Sequence, residues 1–493
     1  MPSSTVGTRQ PESASRSDMG AASEEAAASA FLAVFNRLPA NLGGASIPVE
    51  ELHHRVDESL KHGRAYLKEY PSGAHRLEIL SAMAYLITAN YKREMIDRSE
   101  DYKQSTSVSA PPSLTQEWQR EYLGEALHFI EQAMALDPPS DKRLVLLNTK
   151  GQTLFWGKRY ADAVETYSEI QKRFPDDPKA TETHLSLIVC LIRKLDYDGA
   201  IRESDRFLAK HMDSDEVPHV LRYKSKAMRE NGDAQGALEL WRRYGDFISR
   251  AAAGKPVDTP QGKVTYSIEA QKNFRDYMDR FEFERAFLEY AVGNSDRAQQ
   301  LFTGELESLQ VRDGTGQLSQ TSRVFLIRVQ RLVDTLNILQ GKDAPPLELG
   351  NGWLHQDLTL EPSQHKGQVL ALYFAPYGYK RGYEFAQELQ RIYTEQWGDG
   401  LRAVWISFTK GSQDVEAQLA NARVEAKKLG LTYAAGMDLD PEAPVLARYN
   451  VMRGTSTLVV IDRQGKVAWY KMDPTYRDFK LARKVLTRLL NSS

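Results

Sequence analysis

Cysteine is nearly absent: Cys190 is the only one in 493 residues. That excludes an intramolecular disulfide and any cysteine-rich zinc site. No apolar run approaches the ~18–20 residues that span a bilayer. Met1 to about Ala28 carries no continuous apolar segment of the secretory kind. A charge excess is missing too, with 64 Lys and Arg against 66 Asp and Glu, a net charge of -2. No global field therefore draws the chain to nucleic acid or to an anionic membrane, and electrostatic recognition must be local. The remaining composition, 41% hydrophobic and 26% charged, is that of a soluble globular protein with room for two or three cores. The missing leader favours the cytoplasm, with an extracytoplasmic site open if a leader has been removed. Residues 1–28, rich in Ser, Ala, Gly and Glu, read as a disordered tail.

What is present first is a repeat. Leu147, Gly151, Tyr160, Ala163, Tyr167 and Pro175 read as a helix with a small residue, a turn, and a second helix ended by proline. A small residue is needed where two helices touch, because a large one would push their axes apart. The second-helix alanine recurs at Ala126, Ala163, Ala200 and Ala237, a constant step of 37, and more loosely at Ala286 and Ala298. The order of small, aromatic and proline positions resembles a tetratricopeptide repeat. That resemblance implies an all-α superhelix of stacked hairpins over 113–342, preceded by a helical cap over 29–112.

After Gly341-Lys342-Asp343-Ala344-Pro345-Pro346 the period changes. Residues 343–352 read as a linker. Strand-like runs at Val369–Phe374, Arg402–Phe408, Ser456–Asp462 and Lys466–Lys471 alternate with helices near 381–396, 413–429 and 477–490. This is an α/β pattern over 353–493. Gly367–Ala375, Val404–Ser407, and Tyr449–Val451 with Gly454–Asp462 resemble the thioredoxin-like proteins of the thiol-disulfide-carrier, tryparedoxin and nucleoredoxin group. The resemblance implies a thioredoxin-like fold. Its redox turn, aligned through Phe374-Ala375, falls on Gly378, Tyr379, Lys380 and Arg381, and by the peroxiredoxin pattern on Tyr383. Its cis-proline falls on Ser456. Neither alignment supplies sulfur, and thiol exchange needs an attacking thiolate.

The candidate residues follow. Gly378, Tyr379, Lys380, Arg381 and Ser456 mark a degenerate active site; Lys380 and Arg381 at a helix start suit an anion or an ordinary exposed surface. Numbering from the constant alanine puts Asn148, Gln152 and Trp156 on the groove face of one repeat and Arg222, Lys226 and Arg229 on that of another. The basic stripe suits the carboxylates of an acidic peptide, or is a solvated helix face. Cys190, within an apolar run, reads as a core residue. No catalytic residue, metal site or cofactor motif is read. The expectation is a non-catalytic interaction or scaffold protein with a protein or peptide partner. The alternative is an oxidoreductase of the thioredoxin or peroxiredoxin kind using other chemistry.

Overall fold

The structure is a computed structural model that describes residues 16–38, 49–104, 116–316, 320–354, 360–408, 414–439, 444–452 and 454–492. The chain divides into two compact units, Met1–Asp196 and Tyr197–Ser493.

The first unit is helical: α1 (Arg16–Phe35), α2 (Val49–Glu69), α3 (Arg76–Gln104), α4 (Gln116–Ala135), α5 (Ser140–Trp156), α6 (Tyr160–Arg173) and α7 (Pro178–Arg193). Each helix packs on the next, and short turns between α2 and α3 and from α4 through α7 make hairpins of those helices. The tail expected over 1–28 gives way to helix at Arg16, because Ala28 and Phe31 bury themselves among Val56, Leu60 and Met83. Residues 1–15 lie outside the described residues, as does most of the polar insertion read at 104–113.

The second unit continues with α8 (Tyr197–Lys210), α9 (Val217–Glu230), α10 (Ala234–Ala252), a small hairpin of β1 (Val257–Thr259) and β2 (Gly262–Val264), α11 (Ile268–Val292), α12 (Ser295–Gly314) and α13 (Gln320–Leu339). A sheet domain follows: β3 (Val369–Pro376), α14 (Lys380–Gln396), β4 (Leu401–Phe408), α15 (Val415–Lys428), β5 (Ala434–Met437), α16 (Pro444–Arg448), β6 (Thr457–Ile461), β7 (Val467–Met472) and α17 (Phe479–Asn491). Strand order is β5-β4-β3-β6-β7. β4 runs parallel to both β3 and β5, while β6 is antiparallel to both β3 and β7. A βαβ unit followed by an antiparallel hairpin and a terminal helix is the thioredoxin-like arrangement. All residues of β3 and β6 are buried, as strands covered on both faces must be.

The 37-residue step has a local cause. Ala126, Ala163, Ala200, Ala237 and Ala298 are fully buried, on α4, α6, α8, α10 and α12. Five residues before the last four stand Lys158, Leu195, Gly232 and Gly293, with φ of 59°, 67°, 84° and 101°. The amide after each donates to the carbonyl five residues back: Arg159 to Leu154, Asp196 to Leu191, Asp233 to Met228 and Asn294 to Glu289. One left-handed residue thus ends each first helix and satisfies its last carbonyls. At Gly151 the inter-helix approach is so close that a Cβ would lie 2.5 Å from the Tyr167 ring. Gly232 carries a second demand, since a Cβ there would lie 2.9 Å from the Lys480 carbonyl on α17. The earlier turns tolerate Lys158 and Leu195; this one needs glycine for its φ and for the approach of the terminal helix.

Residues 341–354, which include the linker read at 343–352, run as a strap along the sheet. Gly341 and Ala344 donate to Val467 and Gly465 at the β7 edge, and Leu354 donates to Ala435 at the β5 edge. Between them Leu347 is fully buried, and Pro345 accepts from the Tyr449 hydroxyl. Both sheet edges, which would otherwise expose unpaired backbone groups, are engaged by this one segment.

Replacing Gly151 with Val should destabilise the first unit by about 1–3 kcal/mol, the usual cost of overpacking a filled contact. Denaturant unfolding of the full chain measures it, and a second change, Tyr167→Ala, should recover part of the loss by removing the obstructing ring.

Candidate functional site

The turn that thioredoxin-like proteins use for redox chemistry lies where β3 hands over to α14. Gly378 sits there with φ of 76°, and Tyr379 precedes the first residue of the helix, Lys380. The side chains of Lys380 and Arg381 lie outside the described residues. Three phenols fill the site. The Gly378 amide donates to the Tyr383 hydroxyl at 2.7 Å, Tyr373 donates to the Gly382 carbonyl at 3.0 Å, and Tyr379 donates to Asp473 at 3.3 Å. Burial pushes Tyr383 and Tyr373 above the ordinary phenol range, so both are neutral hydrogen-bonding groups at pH 7. Ser456 is fully buried beside this turn, and its carbonyl accepts from the Asp473 amide. No described peptide bond is cis, in keeping with the roughly 3 kcal/mol that a non-proline cis bond costs.

Cys190 lies in the first unit, fully buried on α7. Burial pushes its thiol up to about 12, which leaves almost no thiolate at pH 7.

The basic residues read from the repeat are gathered by the fold. Arg222, Lys226 and Arg229 on α9 line a hollow of about 320 Å³ with Tyr277, Phe281 and Glu284 on α11. Phe281 stacks on Trp241 at 4.2 Å, which holds the aromatic floor in place. Arg222 lies over the Tyr223 ring. Two carboxylates share the site: Arg229 reaches Glu284 at 3.4 Å and Glu230 at 3.8 Å, and Lys226 reaches Glu230 at 3.9 Å. Three cations against two carboxylates leave the hollow modestly positive. Its α11 wall was missed from sequence, although Tyr277, Phe281 and Glu284 share one face at i, i+4 and i+7. The other set, Asn148, Gln152 and Trp156, sits on α5 in the first unit. There Gln152 donates to Asn148 at 3.4 Å and Trp156 packs near Tyr91.

A short segment joins the β3–α14 turn to the basic hollow. Asp473 touches Tyr379 at one end. At the other, Asp478 accepts from the Thr475 amide and hydroxyl, both at 2.9 Å, and lies 3.5 Å from Lys471. Burial works against the Asp478 carboxylate, yet Lys471, the Thr475 amide and Arg229 of the hollow together hold it below the usual range. Lys480 then donates to Asn231 and lies over the Tyr197 ring. The start of α17 is therefore tied to the end of α9 by a charge-assisted hydrogen bond.

No family model matches the chain, and no curated protein matches it. Solved structures match about 30% of the chain. A thiol:disulfide interchange protein of the thioredoxin family from Chlorobium tepidum is 18% identical, with a TM-score of 0.24, over 31% of this chain and 98% of that one. The thioredoxin domain of a thiol-disulfide oxidoreductase from Bacteroides vulgatus is 13% identical, with a TM-score of 0.25, over 30% and 97%. A secreted disulfide oxidoreductase from Mycobacterium tuberculosis is 17% identical, with a TM-score of 0.21, over 25% and 86%. Strand order and direction define the class of the sheet domain as thioredoxin-like, and it follows a largely helical stretch of chain. Among the described residues no helix is long and apolar enough to cross a membrane, and no group of three His, Cys, Asp or Glu is placed to hold a metal ion.

Asp478 sets a pH dependence. Its carboxylate is held lower in the fold than in the unfolded chain, so its contribution is present above an unfolded pKa of about 3.9. That contribution is lost as pH falls through the folded value. Asp478→Asn should therefore be less stable than the parent at pH 7, with the gap narrowing below about pH 4, as read by denaturant unfolding at pH 7 and pH 3.

Proposed function

We propose that the chain is a non-catalytic interaction protein. Its tetratricopeptide-like array takes an acidic peptide in the α9–α11 hollow, and its thioredoxin-like domain serves as a second docking surface. The observation that carries this reading is the convergence of Arg222, Lys226 and Arg229 over an aromatic floor. Guanidinium and ammonium groups bind carboxylates by charge-assisted hydrogen bonds, and Tyr277 and Phe281 offer apolar contact to the side chains between them. The absence of thiol chemistry is supported by the burial and raised pKa of Cys190. It is supported further by the phenols Tyr373, Tyr379 and Tyr383 around the turn where the thioredoxin-like family carries cysteine. The oxidoreductase alternative would need turnover that vanishes in Cys190→Ser.

The test uses a fluorescein-labelled peptide of alternating Glu and Phe residues and the full chain, read by anisotropy. Binding should weaken with added salt, since partly exposed charges are screened. Arg222→Glu with Lys226→Glu should weaken it by tenfold or more, about 1.4 kcal/mol. Glu284→Gln should tighten it by freeing Arg229 from a competing carboxylate. Unchanged binding in the double reversal would remove the hollow as the site, and thiol-dependent turnover lost in Cys190→Ser would overturn the non-catalytic reading.

A further inference from the structure

Helix α13 presents a face that the rest of the described chain leaves open. Val324, Ile327 and Ile338 are 51%, 63% and 54% exposed, and Val311 on neighbouring α12 is 67% exposed. Large aliphatic side chains scattered singly on a surface need no explanation, but Ile327 and Ile338 open onto one shared hollow. Ile327, Arg331, Asp334 and Ile338 line one open hollow of about 750 Å³ with Gln310 and Leu326.

The order of these four residues identifies the occupant. They stand at i, i+4, i+7 and i+11 and so form one stripe along the helix. Read forwards the stripe is Ile, Arg, Asp, Ile; read backwards it is Ile, Asp, Arg, Ile. Ile327 and Ile338 are equidistant from the point midway between Leu332 and Val333, and so are Arg331 and Asp334. Laid antiparallel on itself, the helix sets Ile327 against Ile338 of the second copy and Arg331 against its Asp334, each contact made twice about the two-fold axis. Within one chain these charges are not paired with each other. Arg331 donates to Asn450 at 3.4 Å, and Asp334 accepts from Gln330 at 2.9 Å. A two-fold contact requires a patch that complements itself, and this stripe does so in both hydrophobicity and charge. A partner of unrelated sequence would have no reason to match that symmetry.

We propose that α13 forms an isologous, antiparallel contact between two copies of this chain. Ile327 and Ile338 supply its apolar centre, and reciprocal Arg331–Asp334 ion pairs set its register. The Gln310–Gln330 hydrogen bond at 2.9 Å links α12 to the same face and holds its rim. The contact uses neither the basic hollow nor the degenerate turn, so it stands independently of the peptide-binding reading.

The experiment measures the mass of the full chain by sedimentation velocity and by light scattering after size exclusion, at concentrations up to about 100 µM, where even weak dimers are populated. The expected mass is twice the chain's 55.8 kDa. Arg331→Asp alone and Asp334→Arg alone each set like charges opposite one another twice, and each should weaken dimerisation by at least about tenfold. The double variant Arg331→Asp with Asp334→Arg recreates the pairs in reverse and should restore the dimer. Thermal melting of each variant confirms that it is folded, and Ile327→Glu provides a second disruption that leaves the Asn450 contact intact. A parent that stays at the mass of one chain overturns the proposal. So does a dimer indifferent to the single swaps and to Ile327→Glu, or a double variant that fails to recover while remaining folded.

Discussion

Helix α17 belongs to the sheet domain by chain order and to the helical array by contact. Leu481, Ala482, Val485, Leu486 and Leu490 are buried, and the helix packs against β3 and α14 within its own domain as well as against α9 and α11 of the array. The backbone of the array is shaped to receive it. Gly232 lies against the Lys480 carbonyl and Gly293 against the Arg488 guanidinium, at turn positions where the two preceding copies carry Leu195 and Lys158. A side chain at either glycine would meet α17 and would also strain a left-handed residue. The edge of β7 is engaged by the strap that leaves α13, and the Asn450 amide donates to Thr335 on that helix at 2.6 Å. With so many independent contacts, the sheet domain is part of the second unit and not a module on a tether. Within the second unit, β7 packs on α13, and α17 packs on α9 and α11.

That joint governs both candidate sites. The connection from β7 to α17 runs from Asp473, on the Tyr379 hydroxyl, to Asp478, whose carboxylate feels Arg229 of the basic hollow. A change in either site therefore acts on the same six-residue segment, Asp473–Asp478. The chemistry at its two ends differs. Around the turn the polar groups are neutral phenols already committed to backbone or carboxylate partners. In the hollow, three cations face two carboxylates, Glu230 and Glu284.

Sequence reading went furthest where a physical demand repeats. A small residue is required at every helix crossing, so the alanines at a 37-residue step were visible without a structure, and all are fully buried. The strands read at 369–374, 402–408 and 456–462 were visible because a strand covered on both faces is largely apolar along its length. β5 was missed because Ala434-Ala435-Gly436-Met437 carries no β-branched or aromatic residue. It is a strand only because β4 lies beside it. The helix at Arg16–Phe35 was missed because its composition is that of a tail, and its order comes from burying Ala28 and Phe31.

By itself the sequence determined which residues are chemically available: one cysteine, no sulfur at the redox turn, and a stripe of three cations at helical spacing on α9. These are properties of composition and of local period, which the chain carries in any conformation. The local pattern already marked Cys190 as a core residue, but only the tertiary structure closed its thiol off completely and set Pro345-Pro346 in a strap between two sheet edges. It also placed Tyr277, Phe281 and Glu284, some fifty residues further along, as the facing wall of the stripe. The reason is common to all three cases. Burial, edge pairing and the meeting of distant helices depend on which surfaces touch, and no local pattern encodes that contact.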